Sequence, residues 1–337
     1  MAYQNVGTPR FFIDHGLWLH GLGMSYQYET PYPYQNELIQ LNPSHQSVPV
    51  NSAFSIIIPR HSPINYTAFL GHNGGTMYPY WFDGSVATGP GTMTHINGQD
   101  FDQDASVSYK GFSIFFFNDN QDGINHASYS TSTSMGAISV GSTYTMPHSP
   151  DLKLTMSREM EGVKRVRTKG GADLIDHHYT IPPLWGSAAP WELYQGNPSD
   201  QNLSRIGRRT WDLSFSYLQD SDVFGSNQSI GIDDGGFGYK PIYTTAGYNE
   251  SDLNIVGAPG NEHISGFEYN LLNDNSSYAK VIHKTNGGQL RFIFQPDSSN
   301  NNPGEGFAIC KFDMKKFQFK QVANGVYNMK LKIREVW

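Results

Sequence analysis

Alternating apolar and polar residues at the C-terminus constrain the fold of this chain more than any other stretch of its sequence. From Tyr327 to Trp337 every second residue is apolar except Glu335. The intervening row is polar from Asn328 to Arg334, and its basic members are Lys330, Lys332 and Arg334. A period of two residues is that of a β-strand with one buried face. The preceding Asn324-Gly325 favours a two-residue hairpin turn because both positions need a positive φ, so the sequence predicts a terminal hairpin whose last strand belongs to the core.

The same period recurs in the interior of the chain, whereas helical periodicity is almost absent. The apolar face predicted for "TWDLSFSYL" is Trp211, Leu213, Phe215 and Tyr217, and that for "QLRFIFQP" is Leu290, Phe292 and Phe294. Aromatic residues make up 14% of the chain and charged residues only 16%, and there are 35 glycines. This composition favours strands and tight turns over helices. The sequence therefore predicts an all-β protein.

Strand patterns divide the chain into three parts. Residues 52–145 contain short apolar strands separated by long loops rich in Gly, Asn, Asp and Ser, which is typical of a β-sandwich or jelly roll. The flanking residues 1–51 and 146–337 also have strand patterns, and we predict that these two parts together form a single second β domain. We therefore predict a split β-barrel or β-sandwich that is interrupted by an inserted jelly-roll-like sandwich at 52–145 and ends in the C-terminal hairpin.

Charge, cysteine content and hydropathy exclude several functional classes. The formal net charge of −7 argues against a specific nucleic-acid binder, which would carry a strongly basic domain. The single cysteine, Cys310, rules out an internal disulfide or a thiolate zinc site, and its apolar surroundings predict a buried side chain. No apolar run is long enough to cross a membrane, and the N-terminus lacks the features of a secretory signal. We therefore expect no membrane association and synthesis in a cytoplasm.

Three polar motifs fall short of a metal, phosphate or catalytic site. Asn118 to Gly123 has the early spacing of a calcium loop, but Tyr129 occupies the position of the final bidentate acid. His177 and His178 are consecutive, so their side chains point to opposite faces of a strand. Gly231 to Gly238 lacks the Lys-Ser/Thr pair of a phosphate loop. The sequence therefore predicts no cofactor, no metal and no enzymatic activity.

Two groups of basic residues are candidates for contacts between subunits. The first comprises Arg158, Lys164, Arg165, Arg167 and Lys169, and the second comprises Lys330, Lys332 and Arg334. The first is the densest positive run of the chain, and it fits either a solvated hairpin or a charged contact with another subunit. The second is the polar row of the terminal strand, which either stays hydrated or meets an acidic surface of a neighbour.

Several stretches resemble structural proteins of tailed-bacteriophage tails. "RRTWDLSFSYLQDSD" (Arg208 to Asp222) is similar to an arginine-rich strand of these proteins, in which basic residues precede an aromatic–x–Leu–Ser–aromatic strand and an acidic turn. "VIHKTNGGQLRFIFQPD", "GFAICKFD" and the closing "VYNMKLKIREVW" are similar to their C-terminal half. "NYTAFLGHN" (Asn65 to Asn73) resembles a stretch of the galactose-binding-like jelly rolls of phage virion proteins.

The resemblance implies a distal tail or baseplate-hub protein that forms a ring of six copies and joins the tail tube to the tip or fibres. Its expected location is the virion tail, after synthesis in the cytoplasm of a host bacterium. Its expected partners are copies of itself and the tube, hub and fibre proteins, and the resemblance implies no catalytic residue. Two alternatives stay open: a receptor- or glycan-binding tail fibre whose partner is a host-surface glycan, and a polysaccharide-degrading enzyme that uses scattered acids.

Overall fold

A computed structural model of the 337-residue chain describes a subset of its residues. The described ranges are 7–21, 38–42, 48–49, 54–56, 66–70, 77–83, 86–88, 94–96, 99–103, 111–116, 134–152, 154–159, 163–177, 207–223, 254–256, 263–265, 276–300 and 306–336. Trp337, the Asn118 to Gly123 and Gly231 to Gly238 motifs, and His178 lie outside these ranges.

Within the described ranges the chain is built mainly from strands. The first strands are β1 (Arg10–Asp14), β2 (Val48–Pro49), β3 (Phe54–Ile56), β4 (Tyr66–Leu70), β5 (Met77–Asp83), β6 (Val86–Thr88), β7 (Thr94–Ile96), β8 (Gln99–Gln103), β9 (Gly111–Phe116), β10 (Ser134–Met135) and β11 (Ala137–Thr145). The later strands are β12 (Thr155–Glu159), β13 (Val163–Arg167), β14 (Asp173–His177), β15 (Arg208–Gln219), β16 (Asn254–Val256), β17 (His263–Ser265), β18 (Phe292–Gln295), β19 (Ala308–Phe312), β20 (Phe319–Ala323) and β21 (Val326–Glu335). The helical segments are α1 (His15–Gly21), α2 (Asp220–Val223) and a π-helical turn (Tyr278–His283). The all-β class predicted from the sequence is confirmed.

One curled antiparallel sheet organises the described residues. Its strands follow the order β12-β15-β21-β19-β18-β1-β11-β4-β8-β7, and β20 pairs with β21 beside this path. A four-stranded sheet has the order β3-β9-β5-β6, and three two-stranded sheets pair β2 with β10, β13 with β14, and β16 with β17. Neighbours in the main sheet are mostly distant in sequence, so the sheet joins the two ends of the chain.

The main sheet buries apolar side chains on both faces. Phe11 and Phe12 are consecutive in β1, so they point to opposite faces and join different core clusters. Phe11 packs against Phe294, with ring centroids 5.1 Å apart, in the cluster that also contains the inner faces of β15 and β21. Phe12 packs edge-on against Tyr66, at 5.3 Å, in the cluster on the other face. Cys310 is buried in the first cluster, as predicted.

The predicted C-terminal hairpin is confirmed. Ala323 pairs with Val326 across the two-residue turn, and Gly325 has a φ of 66°. β21 is an interior strand, because β15 pairs along one edge and β20 and then β19 pair along the other. Its predicted inner row is buried at Met329, Leu331, Ile333 and Glu335. Alternation with a period of two therefore identified the buried face of this strand correctly.

One residue of β15 departs from the predicted alternation. The sequence pattern places Tyr217 with Trp211, Leu213 and Phe215, but Tyr217 is 80% exposed and Leu218 is buried instead. The pairing register with β21 shifts between Phe215 and Leu218, and Tyr217 has a positive φ of 62°. The prediction for Tyr217 was wrong because a β-bulge inserts an extra residue and reverses the alternation that follows it.

Residues 52–145 contribute to more than one sheet. The four-stranded sheet lies wholly within this range, but β4 and β11 pair with each other inside the main sheet. β11 also pairs with β1 along its length from Gly141 to Thr145. The described residues therefore do not set this range apart as one unit, and the boundaries at 51/52 and 145/146 stay a prediction.

Candidate subunit interface

The first basic group lies on an exposed hairpin formed by β13 and β14, which we call the arm (residues 163–177). Thr168 closes its turn, because the Thr168 amide donates to the Ala172 carbonyl at 2.8 Å and the Ala172 amide donates to the Thr168 hydroxyl at 3.0 Å. Gly171 takes the left-handed conformation, with a φ of 86°. From 164 to 176 every residue except Thr168 is exposed. The arm holds Lys164, Arg165, Arg167 and Lys169, and the fifth member of the group, Arg158, lies on β12.

The arm exposes apolar as well as basic side chains. Val166 lies directly opposite Leu174, and these side chains are 48% and 61% exposed. Arg165 and Asp173 form an ion pair across the hairpin. A two-stranded hairpin with both faces in water is marginally stable, so an exposed pair of this kind is a candidate contact for another protein surface.

Strand β12 forms one end of the main sheet. Its ladder partner is β15, and among the described residues the sheet order places no further strand beyond it. Met156 in β12 is 67% exposed, and Leu152, just before the strand, is also exposed. An open strand edge presents backbone donors and acceptors that can pair with another chain. The arm and β12 thus lie close in sequence and both offer surface to a partner.

The second basic group lies on the outer, hydrated face of β21. The Lys332 ammonium is 2.8 Å from the Asp313 carboxylate, and the hydrogen bond and charge of Asp313 raise the pKa of Lys332. The Arg334 guanidinium is 2.7 Å from the Glu159 carboxylate. Lys330 is exposed. Two of these three side chains thus already have acidic partners within the chain.

A buried ion pair fixes the end of β21, and the sequence reasoning missed it. The Arg209 guanidinium donates to both carboxylate oxygens of Glu335, at 2.8 and 3.0 Å, and to the Phe307 carbonyl at 2.7 Å. The Arg209 amide also donates to Glu335, at 3.0 Å. The signal in the sequence was an acid at position 335 in an otherwise apolar row. Removing one partner of such a pair would leave an uncompensated buried charge.

A second buried polar group surrounds the junction of β1 and α1. The His15 Nε2 is 2.9 Å from the Ser142 hydroxyl, and the Tyr66 hydroxyl is 2.8 Å from the Ser139 hydroxyl. Asp14 accepts a hydrogen bond of 2.9 Å from the Leu17 amide and so caps α1. His15 and Ser142 are both buried, so this serine–histidine pair lies in the core.

Comparisons with known proteins do not assign the chain to a family. No protein-family model matches the chain, and neither the curated proteins nor the solved structures gave a match. Within the described part of the chain, no helix is long and apolar enough to cross a membrane. The same residues contain no group of three His, Cys, Asp or Glu side chains that could hold a metal ion.

Proposed function

We propose that this chain is a structural component of a bacteriophage virion tail. It forms a closed ring, most simply of six copies, at the distal tail or baseplate hub and connects the tail tube to the tip or fibres. The proposal is supported by the tail-protein resemblance and by the all-β architecture. The single observation that carries the self-association is the arm, an exposed hairpin with a cross-strand pair of apolar side chains.

Charge favours a second copy of the chain as the partner of the arm. The arm has four basic and two acidic side chains, a formal charge of +2, which leaves −9 for the rest of the chain. A surface of opposite sign attracts the arm and orients the encounter. Contacts that join unlike surfaces of identical subunits produce a closed ring when the rotation between neighbours closes. The arm therefore docks on an acidic surface of the neighbouring subunit.

The test compares two substitutions at valines of equal exposure. Val166 in the arm and Val322 in the terminal hairpin are each 48% exposed. Native mass spectrometry and negative-stain microscopy of the wild-type protein are expected to show a ring. Val166→Glu buries an unpaired charge in the contact and is expected to weaken assembly by at least about tenfold. Val322→Glu adds the same charge outside the arm and is expected to leave the ring intact.

Circular dichroism and a thermal melt show whether both variants fold. A wild-type protein that stays monomeric, or that forms trimeric spikes, contradicts the ring. Equal assembly of the two folded variants contradicts the role of the arm and leaves the ring itself to be explained by another surface.

A further inference from the structure

A cavity of about 280 Å³ opens between the edge strand β12 and the turn that follows β18. Its walls are formed by residues from β12, from the start of β15, from the turn after β18 and from the start of the β19 segment. The lining residues used below are Met156, Arg158, Arg209, Trp211, Asp297 and Asn300. The volume is near the lower end of the range for small-molecule sites, and it suits a ligand of about the size of one sugar ring.

Two arginines face each other across strands on one wall of this cavity. Arg158 in β12 is paired directly with Arg209 in β15. Like charges in this arrangement destabilise a sheet. Glu335 neutralises the buried Arg209, but exposed Arg158 has no ion pair or side-chain hydrogen bond with any described residue. The wall therefore retains one positive charge that an anion could neutralise.

The neighbouring indole supplies an apolar part of the same wall. Trp211 lines the cavity, but its Nε1–H is buried away from solvent, so the side chain offers ring surface to a ligand and not a hydrogen bond. The ring itself is held rigidly, because the Arg209 guanidinium lies over it at 5.4 Å and Phe294 packs against its edge at 5.3 Å.

The opposite wall is polar, negatively charged and preorganised. The Ser299 amide donates to the Asp297 carboxylate at 2.9 Å, and the Asn300 amide donates to the Asp297 carbonyl at 3.0 Å. In the same turn, the Ser298 amide donates a hydrogen bond to the Thr8 carbonyl at 3.0 Å. A carboxylate on this wall accepts hydroxyl groups and repels a second negative charge. The two walls together select one anionic group at one end and neutral hydroxyls at the other.

We propose that this cavity binds a sugar acid that carries one carboxylate, a hexuronate. The ligand's carboxylate contacts the Arg158 guanidinium, and its ring packs against the Trp211 side chain. Its hydroxyls lie towards Asp297 and Asn300, and exposed Met156 covers its apolar face. This site does not depend on ring formation, because all of its walls come from one chain.

The experiment titrates the full chain with D-galacturonate and D-glucuronate by calorimetry and by the indole N–H signals in NMR. A uronate is expected to bind and to shift the Trp211 indole signal, while D-galactose, D-glucose and inorganic phosphate bind at least about tenfold more weakly. Tetragalacturonate distinguishes the source of the ligand: tighter binding than the monosaccharide indicates the end of an acidic glycan, and weaker binding indicates a free sugar acid.

Three variants locate the site. Arg158→Gln keeps a polar side chain but removes the charge and the guanidinium, and it is expected to weaken uronate binding by about tenfold or more. Trp211→Phe reduces the ring surface of the wall, and it is expected to weaken binding by a smaller factor. Arg165→Gln, on the arm, is the matched control and is expected to bind like the wild type.

Absence of saturable binding at about 10 mM uronate, which corresponds to a free energy weaker than about −3 kcal/mol, overturns the proposal. Equal affinity for galacturonate and galactose, or an Arg158→Gln variant that binds normally, overturns it as well. If Trp211→Phe fails to fold, the indole NMR shift in the wild type and the Arg158→Gln affinity decide the question.

Discussion

At the scale of single residues, Asp14 and His15 are adjacent at the end of β1. Their ionisation makes the stability of the folded protein depend on pH in opposite directions. Asp14 is buried, and loss of hydration raises its pKa from 3.8 to about 7. The folded state therefore holds the proton more tightly than the unfolded chain does. Stability from this group is fully present below about pH 4 and is lost as pH rises to about 7. The loss is on the order of 4 kcal/mol over this interval.

We predict that Asp14→Asn removes this loss. Asparagine keeps the side-chain oxygen that accepts the Leu17 amide and cannot ionise, so the variant should be more stable than the wild type at pH 7 to 8. Urea denaturation between about pH 4 and pH 8 measures the effect as a gap that widens with pH. Parallel curves for variant and wild type would show that Asp14 ionises freely in the folded protein.

His15 provides the control of opposite sign. Burial, followed by the charges of Lys284 and Lys280, holds its pKa well below 6.5. Stability from His15 is present above pH 6.5 and is lost as pH falls, which is the reverse of Asp14. His15→Gln retains a polar partner for Ser142, and in the same urea series it should flatten the acid side of the curve while leaving in place the fall in stability that Asp14 causes as pH rises to about 7.

At the scale of elements, the terminal strand determines whether the main sheet is continuous. β21 joins β15 to β19, and its inner row buries Met329, Leu331 and Ile333. Each large apolar side chain contributes about 2 kcal/mol on burial. Loss of the strand also leaves Arg209 without the Glu335 carboxylate that neutralises it.

We predict that deletion of residues 327–337 prevents folding, because these losses exceed the usual net stability of about 5–15 kcal/mol once the ladders of β15 and β19 are unpaired. Lys330→Ala is the control: the side chain is exposed on the outer face, so the change should stay within about 0.5 kcal/mol. Circular dichroism and thermal melts compare the two proteins. A truncated chain that melts like the full one would show that β21 is dispensable.

At the scale of the whole molecule, the pairing of β4 with β11 encloses residues 71–135, whose described strands β8 and β7 form the outer end of the main sheet beyond β4. The Gly136 amide donates to the Leu70 carbonyl at 3.0 Å, so the residues that flank the segment 71–135 are already in contact. β11 itself carries buried Ile138, Val140 and Tyr144. A removable segment therefore ends before β11, whereas 52–145 includes it.

We predict that replacing residues 71–135 by an Asn-Gly turn leaves a folded protein, because the turn closes β4 and β11 into a hairpin that is already in register. Replacing residues 52–145 by a short linker removes β11, one of the two ladder partners of β1, and should abolish the cooperative melt. Cooperative melting of both proteins would show instead that 52–145 is a separate domain with its own core.

The sequence by itself determined the all-β class, the terminal hairpin and the buried row of β21. These features are local: a period of two residues fixes which side chains share a face, and Asn324-Gly325 fixes the turn. The candidate interface was predictable only in part, since the basic run was visible in the sequence but the exposure of Val166 and Leu174 beside it was not.

The tertiary structure alone decided the rest. Arg209 and Glu335 are 126 residues apart, so their ion pair depends on β15 and β21 becoming neighbours. The cross-strand register of Arg158 and Arg209 depends on which strand lies beside β15, and the bulge at Tyr217 depends on how β15 fits its partner. Strand order follows from the burial of many distant side chains at once, and a pattern read over a few residues carries no information about it.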